Sequence, residues 1–147
     1  MKKVIVLSRV STEGQDLTQQ TDEVLREVYK DGYTDSNIII IEDKESAIQL
    51  SEEERHGLNK MKEYISTNPN INCVYIYELS RLSRIPLVLY SIRDYLVERR
   101  IQLICLKPYF RLLEVDGTMS HTGSLMFSLF SSLAESEMIL KKERMMR

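Results

Sequence analysis

The 147-residue sequence predicts an α/β fold: a mostly parallel sheet of four or five strands with helices on both faces, followed by a long C-terminal helix. Two observations carry this expectation. Short β-branched runs alternate with segments of helical apolar spacing through the first two thirds of the chain, and the last 26 residues hold one uninterrupted helical pattern. Strand–helix alternation implies parallel neighbours joined by crossovers, which lays helices over both sheet faces. With 43% hydrophobic residues, the chain is large enough for one domain with a sizeable core.

The first strand, Val4-Ile5-Val6-Leu7, runs into Ser8-Arg9-Val10-Ser11-Thr12-Glu13-Gly14-Gln15. An apolar run that ends in polar residues reads as a strand delivering them to a sheet edge. Two readings fit this stretch in isolation. Ser11 is a nucleophile with Arg9 as its anion-binding partner, or Thr12 and Gln15 form a capping box at a helix start.

Leu17, Val24, Leu25 and Val28 then recur at helical spacing, and Gly32 is placed to stop that helix. Asn37 to Glu42, with four consecutive isoleucines, predicts a strand buried on both faces. Asp43 to Glu54 reads as a polar loop. Leu58, Met61, Tyr64 and Ile65 mark a second helix, ended by Asn68-Pro69-Asn70. Cys73 to Glu78 is a third strand leading into Leu79-Ser80-Arg81-Leu82-Ser83-Arg84. Pro86 suits the first turn of a third helix carrying Leu89, Ile92 and Leu96. Ile101 to Leu106 is a fourth strand, and Lys107 to His121 is assigned no regular structure.

From about Thr122 to Arg147, Met126, Leu129, Phe130, Leu133 and Ala134 share one helical face, broadened by Leu125, Ile139, Leu140 and Met145. Such a helix spans roughly 37 Å at about 1.5 Å per residue, more than the sheet can cover. Its far end is expected to meet another subunit or domain, the plainer reading being a terminal core helix with a frayed charged end.

A formal net charge of −2 is unlike that of a stand-alone nucleic-acid binder, so affinity for DNA would need a local patch or another domain. The opening apolar run is too short for a signal peptide, and no stretch approaches the ~20 apolar residues of a membrane span. A cytoplasmic location without membrane association follows as an expectation. Cys73 and Cys105 lie beside apolar residues without a CxxC or Cys/His cluster, and read as reduced core thiols rather than metal ligands. His56 and His121 read as ordinary surface residues.

In a parallel sheet every strand presents its carboxyl end to the same edge, where ligands bind in open α/β folds. Ser8 to Ser11, Asp43 to Ser46, and Ser80 to Arg84 all lie at such ends. Arg9, Arg81 and Arg84 are thereby expected around Ser11, with Arg55 joining from the loop. Guanidinium groups are permanently charged forks matched to phosphate oxygens. Several around one hydroxyl describe a phosphoryl-transfer site in which arginines do the work that Mg²⁺ does elsewhere.

These residues resemble the serine recombinases, the resolvases and DNA invertases. Ser8-Arg9-Val10-Ser11-Thr12 is similar to the family's Arg-Val-Ser-Thr signature, with Ser11 in the nucleophile position and Arg9 in that of its activating arginine. Gln15 and Gln20 match polar positions early in the first helix. Asp43-Lys44-Glu45-Ser46 resembles Asp-Lys-x-Ser, Arg55-His56-Gly57-Leu58 resembles Arg-x-Gly-Leu, and Arg81-Leu82-Ser83-Arg84 resembles Arg-Leu-x-Arg. Ala134-Glu135-Ser136-Glu137, with Arg144 beyond, resembles the start of the family's long dimerisation helix. Two positions depart from the pattern: Ser80 stands where Asp is usual, and Met138 where Arg commonly follows Glu. Glu78, on the same strand face as Ser80, is a candidate substitute proton carrier.

The resemblance implies a catalytic core over residues 1–121, the start of a dimerisation helix over 122–147, and a DNA-recognition domain outside this chain. It implies attack by Ser11 on a DNA phosphate, release of the 3′ oxygen and a 5′-phosphoserine intermediate, without metal or other cofactor. Arg9, Arg81 and Arg84 are the implied catalytic arginines, with Gln15, Gln20, Ser46, Arg55 and Arg144 binding phosphate or supporting the site. The implied partners are double-stranded DNA and further copies of the chain, a homodimer that becomes a tetramer in the synaptic complex, in a bacterial-type cytoplasm and on the nucleoid when bound. Two other classes compete. A catalytically silent assembly module of the same fold draws on Ser80. A phosphate-binding, flavodoxin-like domain lacks both a glycine run in the first turn and paired acidic residues.

Overall fold

The computed structural model describes residues 2–11, 18–45 and 56–146, with side chains throughout except at 9–11, 44 and 45. In chain order the elements are β1 (Lys3–Ser11), α1 (Thr18–Lys30), β2 (Ile38–Glu45), α2 (His56–Thr67), β3 (Ile71–Ile76), α3 (Pro86–Glu98), β4 (Gln102–Leu106), β5 (Tyr109–Arg111) and α4 (His121–Met145). Single 3₁₀ turns precede β2, at Asp35–Asn37, and follow β3, at Leu79–Arg81.

The strands form one sheet in the order β2-β1-β3-β4-β5. β1 pairs in parallel with both β2 and β3, and β3 with β4, while β5 turns back antiparallel onto β4. β1 is thus an interior strand, with Val4, Ile5, Val6 and Leu7 apolar towards both faces and every one buried. Alternation along the strands divides the core in two. Ile5, Leu7, Val74, Ile76, Leu103 and Cys105 face α2, α3 and α4, whereas Val4, Val6, Cys73, Tyr75 and Ile104 face Val24 and Val28 of α1.

The helix signals have local causes. Pro86 occupies the first turn of α3, where its missing N–H leaves no bond unmade, and Leu89, Ile92 and Leu96 are fully buried. Gly32 adopts φ +100° after α1, and the Gly32 and Tyr33 amides donate to the carbonyls of Tyr29 and Val28. That arrangement is a Schellman ending, which favours a residue without Cβ. Ser120 caps α4 by accepting from the Gly123 amide at 2.8 Å.

Several expectations are corrected. β2 continues through Asp43, Lys44 and Glu45, residues assigned to a loop, and among the described residues it pairs on one side only. It is an edge strand rather than one buried on both faces, and Ile40 is 47% exposed. β3 stops at Ile76, so Glu78 lies past the strand, at the residue that opens the following 3₁₀ turn. Lys107 to His121 is ordered by backbone pairing: β5 returns through a cis Lys107–Pro108 peptide, and Leu113 bridges Met119. His121 is the first residue of α4, not the residue before it. The predicted apolar face of α4 splits in two. Phe127 and Ala134 are buried, with Met126 and Phe130 half-buried against the core, whereas Leu125, Leu129 and Leu133 are exposed. The inward face thus runs through Phe127, whose ring meets Phe110 edge-on at 6.2 Å. Every residue of α4 beyond Ala134 is exposed, including Ile139, Leu140 and Met145, as the helix length requires. Among the described residues no helix is long and apolar enough to cross a membrane.

Candidate active site

The carboxyl ends of β1, β2 and β3 lie at one edge because the three strands are parallel. Ser11 ends β1 in register with Glu45, and Arg9 is in register with Asp43. For Arg9 and Ser11 the backbone alone is placed. Gln15, Ser46 and Arg55, the other expected site residues of this edge, lie outside the described residues.

The third cluster is built in more detail. After β3 the chain makes a 3₁₀ turn closed by Arg81 N–H to Glu78 C=O at 3.0 Å and Leu82 N–H to Leu79 C=O at 2.9 Å. Leu79 and Leu82, three residues apart and so on one side of such a turn, are both buried and anchor it to the core. The anchored turn holds Arg81 inward, with only 7% of the residue exposed. Its Nη2 donates to Gln20 Oε1 at 2.9 Å and to Glu78 Oε1 at 3.2 Å. Ser80, itself buried, donates from Oγ to the same Glu78 oxygen at 2.6 Å. Ser83 Oγ accepts from the Ile85 amide at 2.9 Å, fixing the exit into α3. On the other side, the hydroxyls of Ser8 and Thr21 are hydrogen-bonded, which ties the end of β1 to α1 beside Gln20.

Arg84 stands apart from this network. Its side chain is 45% exposed, and its Nη1 lies 3.9 Å from Glu137 Oε2 on α4, beside an open groove of about 450 Å³ that Lys141 and Lys142 also line. Arg144 sits in the last turn of α4, exposed, ten residues beyond Ala134 and so about 15 Å of helix rise past the last buried position. Within one chain it does not join Arg81. Gln20, Glu78 and Arg81 are therefore brought together, Arg84 lies at the rim, and Arg144 is remote. Sequence reasoning missed Glu137, which lay inside the matched Ala134–Glu137 motif, and the bond from Ser80 to Glu78. Pairings between a turn and a helix 53 positions later leave no local periodic signal.

Asp43 is buried at the far side of the edge, against the start of α2. A Cβ at Gly57 would lie 2.7 Å from its Cβ and Cγ and 2.8 Å from Oδ2, so the approach of α2 to β2 requires glycine there. Cys73 and Cys105 are buried free thiols. Burial pushes the Cys105 thiol up to about 12 and raises that of Cys73 further, so neither supplies a thiolate near neutral pH. His56 and His121 are exposed, as expected.

The family model described as Resolvase, N terminal domain, matches residues 4–147. Among curated proteins none matches significantly. Among solved structures, the N-terminal catalytic domain of TP901-1 integrase is similar at 27% identity with a TM-score of 0.63, covering 95% of this chain and 98% of that one. A resolvase family site-specific recombinase from Streptococcus pneumoniae is similar at 25% identity and a TM-score of 0.59, covering 99% and 94%. Both likenesses extend over nearly the whole chain, and with the family match they favour a resolvase-like over a flavodoxin-like reading. With the family pattern matched over residues 4–147 and the fold shared with both solved structures, the chain belongs to the resolvase N-terminal domain family, that of serine recombinase catalytic domains.

Proposed function

We propose that Ser11 is the nucleophile of a DNA strand transfer that proceeds through a 5′-phosphoserine link. The Ser11 oxygen bonds to phosphorus, the bond from phosphorus to the 3′ oxygen breaks, and the serine proton passes to the departing 3′ hydroxyl. Rejoining reverses these steps with a different 3′ hydroxyl, so the energy of the phosphodiester is conserved and no cofactor is consumed. Arg9, Arg81 and Arg84 stabilise the charge that develops on the phosphoryl oxygens, and Gln15, Gln20, Ser46 and Arg55 support them. A serine hydroxyl is a weak nucleophile until its proton is removed, and a surrounding positive field favours that loss.

The observation that carries this reading is the buried turn at Arg81. A guanidinium held by Gln20 and Glu78 stands in the turn after β3, and β3 is the neighbour of the strand that Ser11 ends. Burying a charged side chain is unfavourable unless it is paired, and a charge held this way is preorganised for an anion. The substrate is double-stranded DNA, acted on by a dimer that pairs into a tetramer, with Arg144 contributing from the exposed end of α4. A net charge of −2 supports placing sequence readout outside these 147 residues.

The test is covalent trapping. The protein, with whatever residues its gene encodes beyond Arg147, is incubated with a pool of randomised DNA duplexes, and complexes that survive detergent are isolated. The wild type yields adducts that enrich one core sequence, and Ser11→Ala yields none. Adducts of equal yield from Ser11→Ala would refute the assignment. No adduct from a wild type that still dimerises favours the silent assembly module.

A further inference from the structure

We propose that Ser80 and Glu78 act together as a positioning pair for Arg81, a carboxylate supplied from two residues past β3 and pinned inward by a neighbouring hydroxyl. The proposal rests on the reading of Arg81 as a phosphate-binding group. It gives Glu78 a role other than the expected proton carrier, and the pH profile below separates the two.

Both donors converge on one oxygen. Ser80 Oγ lies 2.6 Å, and Arg81 Nη2 3.2 Å, from Glu78 Oε1. Ser80 is 2% exposed, whereas the Glu78 side chain is 35% exposed and has water within reach. A glutamate at such a position has several rotamers open to it, and ordering it sacrifices that freedom. The hydroxyl selects the inward rotamer, and Glu78 in turn faces a guanidinium that is only 8% exposed. A carboxylate hydrogen-bonded to a buried guanidinium both compensates its charge and fixes its plane. Gln20 fixes the same Nη2 from α1. Arg81 is thus held by Gln20 from one side and by Glu78 from the other, and the Ser80 hydroxyl reaches it through the Glu78 carboxylate. An aspartate at position 80 would carry its carboxylate into the space that Glu78 now fills, because the Ser80 oxygen already touches that carboxylate. The serine and the glutamate therefore go together. Serine at position 80 with Glu78 present, or aspartate at position 80 with Glu78 removed, each places one negative charge on Arg81.

This makes an exchange experiment decisive. The rate of detergent-stable adduct formation, its half-saturating DNA concentration and its pH profile are measured on the duplex enriched by trapping. Ser80→Ala slows adduct formation about tenfold, in line with loss of one charge-assisted hydrogen bond. Glu78→Ala slows it about 100-fold, the scale of a misplaced catalytic group, and leaves the shape of the pH profile unchanged. Adding Ser80→Ala to Glu78→Ala slows it no further. Ser80→Asp alone is slow, because two carboxylates crowd one guanidinium, whereas Glu78→Ala/Ser80→Asp recovers to within about tenfold of the wild type. The proposal fails if Glu78→Ala retains the wild-type rate, if the two single losses multiply, if the double exchange rescues nothing, or if Glu78→Ala removes one limb of the pH profile, the mark of a proton carrier. Where Ser80→Ala unfolds the protein, the comparison of Ser80→Asp with the double exchange decides alone. Ser11→Ala runs alongside: adducts that survive it overturn the parent reading, while adducts that depend on Ser11 but not on Glu78 overturn only this inference.

Discussion

Arg81 Nη2 and Gln20 Oε1 lie 2.9 Å apart, a hydrogen bond that spans 61 residues of sequence and joins the turn after β3 to the first turn of α1. It couples α1 to the arginine expected to meet the phosphate. Arg81→Ala is expected to lower the trapping rate by at least about 100-fold, the usual effect of removing one preorganised charge donor. Arg81→Lys restores little, because an ammonium cannot present the planar fork that Gln20 and Glu78 hold. Gel quantification of adducts against time checks both.

Arg84 and Glu137 make a looser pair, 3.9 Å apart with side chains 45% and 71% exposed. Solvent screens such a pair, so Glu137→Gln changes unfolding stability by no more than about 0.5 kcal/mol. Arg84→Ala is equally mild for stability yet slows adduct formation at least about tenfold. Urea unfolding beside the trapping assay separates the two effects.

Gly57 admits no side chain, because a Cβ there would meet Asp43 at 2.7 Å. Gly57→Ala must push α2 away from β2, at about 1–3 kcal/mol, the usual range for overpacking. The urea midpoint falls accordingly.

On α4, Phe127 is fully buried against Phe110, whereas Leu133 is 64% exposed. Phe127→Ala is expected to destabilise by about 3–5 kcal/mol and Leu133→Ala by less than about 0.5 kcal/mol in the monomer. Leu133→Glu then lowers the association state seen in analytical ultracentrifugation while the monomer stays folded.

The raised thiols give a pH dependence. Burial lifts Cys105 from about 9 to about 12 and raises Cys73 as well. Above pH 9 the unfolded chain releases these protons while the folded chain keeps them, so stability falls as pH rises. The slope is about 1.4 kcal/mol per pH unit for each thiol, up to about pH 12 for Cys105. Urea midpoints between about pH 8 and 10 should decline, and Cys73→Ala/Cys105→Ala should flatten the decline.

Much of this fold was legible because its signals are local. Pro86, Gly32 and the spacing of Leu89, Ile92 and Leu96 each act within a turn or two of the chain. The edge position of β2 was not, because four isoleucines look the same in a central strand as at an edge where only Ile41 is fully covered. The hairpin from Lys107 onward escaped because β5 is three residues long and its order comes from pairing with β4, not from periodicity. At the site, Arg81 and Gln20 were each legible through motif resemblance, but their bond depends on how α1 crosses the sheet. Glu78 was expected on a strand face beside Ser80, whereas the chain has already left β3 there and turned it onto Arg81.

The most direct test of the central claim is to map the trapped adduct. Nuclease trimming, tryptic digestion and mass spectrometry of the trapped complex should locate a nucleotide joined through its 5′ phosphate to the Ser11 oxygen, with a free 3′ hydroxyl on the released strand. A link to another residue, or through a 3′ phosphate, contradicts the account.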